Sequence, residues 1–247
     1  MRNIFNLNNH WLFKDSFSPE DVQACDSSEY QQINLPHIVK ELPYNCFGQT
    51  ECAMCSTYLK RLRLPEEYRG KHSILEFNGV MAQYQLYVNG QFVQSHKGGY
   101  SRSRVEVSSY LHSGENTILL MVDSHEDKDI PPFGKPIDFL TYGGIYRDVN
   151  LILTDNAWMD VLFRYALEEN AVVLKPEIHF DNAGEAFDGE MIVLLKGEDG
   201  VCAKQYSRTV TIPSGRQILS PEPEKMAAPA LWDIDHPYLY TVEMRLI

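Results

Sequence analysis

Apolar residues recur at every second position through most of this 247-residue chain, and no long segment carries the three-to-four-residue spacing of an amphipathic helix. A chain patterned this way buries its apolar side chains as pleated strands, with one face in a core and the other towards water. Tyr84, Leu86 and Val88 alternate with Gln83, Gln85 and Tyr87. Asn89-Gly90 then supplies the positive φ values of a type I′ turn, and Phe92 continues the returning strand. Residues 74–78 form a short apolar run, and residues 117–122 a continuous one suited to a central strand. Val172, Leu174, Ile178 and Phe180 share one face, as do Met191, Val193 and Leu195. Tyr206, Arg208, Val210 and Ile212 keep the same period, and Tyr240, Val242, Met244 and Leu246 close the series. Short strands between turn signals predict an all-β protein built of sandwiches. A new alternating series starts at Trp158, after Thr154-Asp155-Asn156-Ala157, which divides the chain into residues 1–155 and 156–247. Pro221, Pro223 and Pro229 mark residues 220–229 as a loop or sheet edge, because proline cannot donate to a ladder.

With 44% hydrophobic, 11% aromatic and 23% charged residues, the chain can fill real cores. Its formal charge of −12 argues against nucleic acid and anionic membrane surfaces, both of which require a basic footprint. No apolar run approaches the roughly 20 residues of a membrane span. The first eleven residues hold one basic side chain and no apolar core of a leader, which suits a cytoplasmic protein or one whose leader has been removed. Five cysteines, an odd number, favour reduced thiols over a disulfide framework.

The most informative segment runs from Asp138 to Val149. Upstream of it, Pro131, Pro132, Gly134 and Pro136 exclude regular helix or central strand. Downstream, Val149, Leu151 and Leu153 alternate with Asn150 and Ile152, which reads as a strand with one face in a core. Between them, Gly143 and Gly144 let the backbone take positive φ or pass close to another segment, as residues with a Cβ cannot. Arg147 and Asp148 are adjacent in a strand-like stretch and so point to opposite faces, which favours a structural ion pair or interdomain contact for Arg147 over catalysis.

This segment resembles the end of the first domain of glycoside hydrolase family 2, the family of β-galactosidases, β-glucuronidases and β-mannosidases. Other blocks resemble family elements in the same order. They are Asn34-Leu35-Pro36-His37, Phe77-Asn78-Gly79-Val80, Tyr87-Val88-Asn89-Gly90, His96-Lys97-Gly98-Gly99-Tyr100 and Gly114-Glu115-Asn116. Leu231-Trp232 with Pro237-Tyr238-Leu239-Tyr240 resembles the second domain's signature. The likeness spans the whole chain. It implies a jelly-roll, galactose-binding-like sandwich followed by an immunoglobulin-like sandwich, with Trp232 and Pro237 to Tyr240 largely buried in the latter. It also implies a TIM barrel further along the same polypeptide, carrying the two glutamates of a retaining mechanism. That mechanism needs two carboxyl groups about 5–5.5 Å apart. This chain has no Asn-Glu dipeptide like the one bearing the family's acid/base, and two β domains leave no room for a barrel of about 250 residues. No catalytic residue is therefore expected within it, and no cofactor. The carbohydrate substrate would be met through the full-length enzyme, and a homo-oligomer is compatible.

Asp138 is the candidate substrate-binding residue. In β-galactosidases an aspartate at this distance before the Gly-Ile-x-Arg-Asp block reaches sugar hydroxyls, and a carboxylate can accept several of their hydrogen bonds. A loop-capping aspartate is the competing reading. The family's partner Asn is not seen near residues 50–56, where Glu51-Cys52-Ala53-Met54-Cys55 stands instead, which leaves β-glucuronidase as a neighbouring assignment. A self-contained carbohydrate-binding protein is the alternative of a different class.

Other constellations have plain readings. Cys46, Cys52 and Cys55, with His37 and His72 elsewhere, suggest zinc but lack the second ligand pair of a zinc fold, so no metal is expected. His96 and Tyr100 flank the Gly98-Gly99 turn, and residues 125–129 read as a solvated loop without the spacing of a calcium loop.

Overall fold

The computed structural model describes residues 2–23, 27–45, 48, 50–131 and 141–247. The chain is all-β, with three short 3-10 turns and no α-helix among the described residues. No helix is long and apolar enough to cross a membrane. It divides into two compact units, Met1–Thr154 and Asp155–Ile247.

The first unit is a jelly-roll sandwich of two antiparallel sheets. One sheet orders β3 (Gln31–Ile33), β2 (Trp11–Lys14), β4 (Cys55–Leu64), β9 (Gly114–Asp123), β6 (Gln83–Val88) and β7 (Gln91–Lys97). The other orders β1 (Asn3–Asn6), β10 (Val149–Thr154), β5 (His72–Phe77) and β8 (Ser103–Glu106). In β6 the period-two pattern sends Tyr84, Leu86 and Val88 inward, and the turn after it has φ 50° at Asn89 and 75° at Gly90. The Asn89 side chain also accepts the Thr117 N–H at 2.8 Å and donates to Asn116 at 2.9 Å, so this turn is tied to the start of β9. The core centres on Trp11, Tyr58, Phe77, Tyr84 and Leu120, and burying each such side chain contributes about 1.5–3 kcal/mol. Trp11 keeps its indole N–H satisfied by donating to the Leu7 carbonyl at 2.7 Å.

Strand β10 differs from the one-sided reading of its sequence. Val149, Leu151 and Leu153 are buried as expected, but Ile152 is buried as well. It lies between Ile4 of β1 and Ile74 of β5, and this apolar row covers the outer face of the sheet.

The second unit is an immunoglobulin-like sandwich. One sheet orders β11 (Ala157–Glu168), β12 (Ala171–Asn182) and β15 (Gly215–Leu219), with β16 (Glu224–Ala227) also on β12. The other orders β14 (Cys202–Ile212), β13 (Phe187–Lys196) and β17 (Thr241–Leu246). Ile178 and Phe180 meet Met191, Val193, Val210 and Ile212 between the sheets. The proline-rich stretch contributes a short edge strand, β16, as its missing donors require.

The expected burial of Trp232 is wrong. Trp232 is 60% exposed, and Pro237 is exposed too. Residues 228–240 form no strand between β16 and β17, so the indole faces no opposing sheet. What fastens this stretch is its tyrosines. Tyr238 and Tyr240 pack edge to face at 5.1 Å, the Tyr240 hydroxyl accepts the Ala230 N–H, and the Tyr238 hydroxyl accepts the Glu198 N–H. We therefore expect Trp232→Ala to shift the stability of this chain by no more than about 0.5 kcal/mol, as for other surface positions. Ile178→Ala, at a fully buried position, should cost about 2–5 kcal/mol. Denaturant unfolding of the two variants checks this, and a loss for Trp232→Ala comparable to that of Ile178→Ala would contradict the placement.

Candidate functional site

Gly143, Gly144 and Ile145 run as an extended, buried thread between two edges of the first unit. On one side, His37 N–H donates to the Ile145 carbonyl at 2.8 Å and Val39 N–H to the Gly143 carbonyl at 3.0 Å. On the other, Met81 and Gly144 exchange both backbone hydrogen bonds, at 2.9 and 3.1 Å. No side chain fits at either glycine. A Cβ on Gly143 would sit 2.0 Å from Ser124 Oγ. One on Gly144, whose φ is +112°, would sit 2.6 Å from the Tyr58 hydroxyl and 2.7 Å from the His37 carbonyl. Both conditions that call for glycine, positive φ and close backbone approach, are met here.

The walls of the passage come from the other short blocks. Gly79 faces the Tyr146 ring so closely that a Cβ would lie 2.7 Å from it. The Tyr146 hydroxyl donates to the Gly99 carbonyl at 2.6 Å, and a Cβ on Gly99 would strike the Met81 sulfur. His37 Nδ1 lies 2.8 Å from the Tyr58 hydroxyl. Burial lowers the His37 pKa and so favours the neutral ring. Burial also holds the Tyr58 hydroxyl protonated well above its ordinary range, against the pull of the Ile145 N–H.

Beyond the thread, Arg147 is exposed and holds no carboxylate among the described residues. Its guanidinium lies 5.8 Å from the Tyr146 ring centre, a cation–π contact. Asp148 accepts from Asn8 Nδ2 at 2.6 Å and its carbonyl accepts from Asn78, which pins β10 to the start of the chain.

Pro131 and Thr141 border one small concavity together with Met81, Ser124, His125, Asp127 and Ile130. Asp138 and the rest of residues 132–140 lie outside the described residues, as does Cys46. His96 contacts Ser101 at 3.2 Å, and Tyr100 is exposed beside it. In the loop after β9, Asp127 accepts from Lys97 and from the Asp129 N–H.

The Cys-x-x-Cys spacing does not gather the ligands it suggests. His37 is engaged by Tyr58, and His72 by Thr154 and Glu106. Cys52 is buried, which raises its thiol pKa, while Gly143 N–H supports its ionised form. Cys55 instead pairs across the ladder with Asp123. Burial and then Asp123 raise the Cys55 thiol. At Asp123, burial opposes ionisation, but donation from His125 and Gln83 outweighs it and holds the carboxyl below its usual range.

The described residues of the first unit form an all-β sandwich in which recurrent glycines clear a passage for one threaded segment. The family profile for "Glycosyl hydrolases family 2, sugar binding domain" matches residues 6–155, more than half of the chain, and the chain belongs to glycoside hydrolase family 2. It is 36% identical to a beta-galactosidase of Thermoanaerobacter pseudethanolicus over 255 residues, covering 100% of this chain and 33% of that protein. It is 29% identical to a beta-glucuronidase of Bacteroides fragilis, covering 97% of this chain and 35% of the relative. A solved putative beta-galactosidase from Bacteroides fragilis matches with TM-score 0.83 and 26% identity over 100% of this chain and 39% of its own. The Bacteroides uniformis beta-glucuronidase shares the fold at TM-score 0.88, with 24% identity over 100% of this chain and 30% of its own. The chain thus spans about a third of the length of these curated relatives.

Gly143→Ala should cost about 1–3 kcal/mol through overpacking against Ser124. Gly144→Ala should cost at least as much, because left-handed strain adds to its clash. The Gly143 loss should shrink in a Ser124→Gly background. A double-mutant cycle read by thermal unfolding checks this, and strict additivity of the two changes would show that the clash with Ser124 is not what excludes a side chain.

Proposed function

We propose that this chain is the N-terminal, non-catalytic portion of a retaining β-galactosidase, supporting a TIM barrel elsewhere in the same polypeptide and shaping one wall of its pocket. The observation that carries the reading is the likeness to beta-galactosidases along the whole chain, at 36% and 33% identity, against 29% for the beta-glucuronidase of Bacteroides fragilis. The glycine passage at Gly143 and Gly144, which lies in the segment carrying the resemblance to the family, supports it. Exposed Leu231, Trp232, Ile234 and Leu239 support it from the second unit: four large apolar side chains within nine residues are a surface that further polypeptide would cover. A β-glucuronidase is the second reading, favoured by Glu51-Cys52-Ala53-Met54-Cys55 standing in the region where the resemblance to β-galactosidases calls for an asparagine.

The 247-residue chain alone should fold and release no nitrophenol from nitrophenyl β-galactoside or β-glucuronide. Turnover that disappears on replacing one of its own carboxylates would overturn the non-catalytic assignment. In the enzyme containing this chain, the β-galactoside should be the better substrate. Asp138→Asn should keep the fold and lose about 1.5–3 kcal/mol of transition-state stabilisation, read as kcat/KM. Wild-type kinetics for that variant would reduce Asp138 to a turn residue, and preference for the glucuronide would select the second reading.

A further inference from the structure

At one end of the six-stranded sheet the fold collects a thiol, a carboxylate and an imidazole that no sequence motif joins. Cys55 opens β4 and Asp123 closes β9, and the two are direct partners across the antiparallel ladder. His125 lies two residues beyond Asp123, and its Nδ1 is 2.7 Å from Asp123 Oδ1. One ligand atom from each of the three falls within 4.8 Å of the others. Tetrahedral zinc, with bonds of about 2.0–2.3 Å, separates its ligand atoms by about 3.3–3.8 Å. Small side-chain rotations would close the difference, with the metal taking the place of the hydrogen bond between His125 and Asp123.

The surroundings suit a metal as well as the ligands do. Gln83 pairs with Asp123 from the other side of β9 and donates its amide to Asp123 Oδ2 at 3.0 Å. That bond holds the second carboxylate oxygen, while Oδ1, which also accepts the His125 backbone N–H at 3.0 Å, faces the His125 ring and would make the monodentate contact, an outer-shell arrangement common around bound zinc. Cys55 and Asp123 are partly buried, whereas the His125 side chain is 55% exposed, so the cluster is open to solvent on one side. One thiolate, one imidazole and one carboxylate are a donor set that prefers zinc to the hard cations magnesium and calcium.

We propose that Cys55, Asp123 and His125 form a zinc-binding site with an open fourth position for water. Binding takes the proton from the Cys55 thiol and leaves it in solvent, so affinity rises with pH. The site is independent of the Cys52-x-x-Cys55 spacing, since Cys52 takes no part in it.

The test is titration of the purified, reduced 247-residue chain with Co2+ as a spectroscopic probe, followed by zinc competition against a chromophoric chelator. We expect one bound ion per chain and a thiolate-to-cobalt charge-transfer band that zinc abolishes. Cys55→Ser should remove the band, and His125→Gln, at an exposed position that leaves the fold intact, should weaken zinc binding by at least about tenfold. Gln83→Ala should weaken it by roughly 10–100-fold, as outer-shell losses do, and Cys52→Ser should leave it unchanged. Absence of stoichiometric binding in the wild-type chain would overturn the proposal. So would a band that survives Cys55→Ser, affinity untouched by His125→Gln, or a band lost with Cys52→Ser, which would assign the metal to the cysteine pair.

Discussion

The first unit depends on one close approach, the passage of Gly143 and Gly144 between the backbone at His37 and Val39 and the backbone at Met81. Buried peptide groups must be paired, and here the backbone partners at His37, Val39 and Met81 lie outside the regular strands, while the Ile145 N–H meets the Tyr58 hydroxyl of β4. The thread therefore joins three stretches far apart in sequence, and a side chain at either glycine would force them apart. Its position also sets the start of β10, whose buried rows then hold β1 and β5 together.

Most of the short blocks that carry the family likeness act as packing joints. Gly79, Gly99, Tyr146 and Met81 form one interlocked group beside the thread, and Asn89 and Asn116 tie a hairpin turn to β9. None of these groups is a nucleophile or an acid/base pair. They make a rigid frame, and rigid frames are what position loops with useful precision.

The second unit shows why signature residues need not be core residues. Trp232 carries the likeness to the family yet lies exposed, while two tyrosine hydroxyls pin its segment by accepting backbone N–H groups. Its burial would come from the polypeptide proposed to cover that surface.

By itself the sequence determined the all-β class, the run of alternating strands, the Asn89-Gly90 turn and the need for glycine at 143 and 144. These follow from local rules, since a period of two and a positive φ are properties of neighbouring residues. Asp138 became a candidate only through the resemblance to β-galactosidases. Only the tertiary structure decided what meets across long separations. Ile152 is buried because strands 70 and more residues away flank it, and Arg147 lies against the Tyr146 ring. Cys55 stands beside Asp123 and His125 because β4 pairs with β9 in one particular register. Nothing in the order of residues encodes that register directly. It emerges from the sum of many cross-strand contacts, which is why the cysteine spacing pointed to one partner and the fold supplied others.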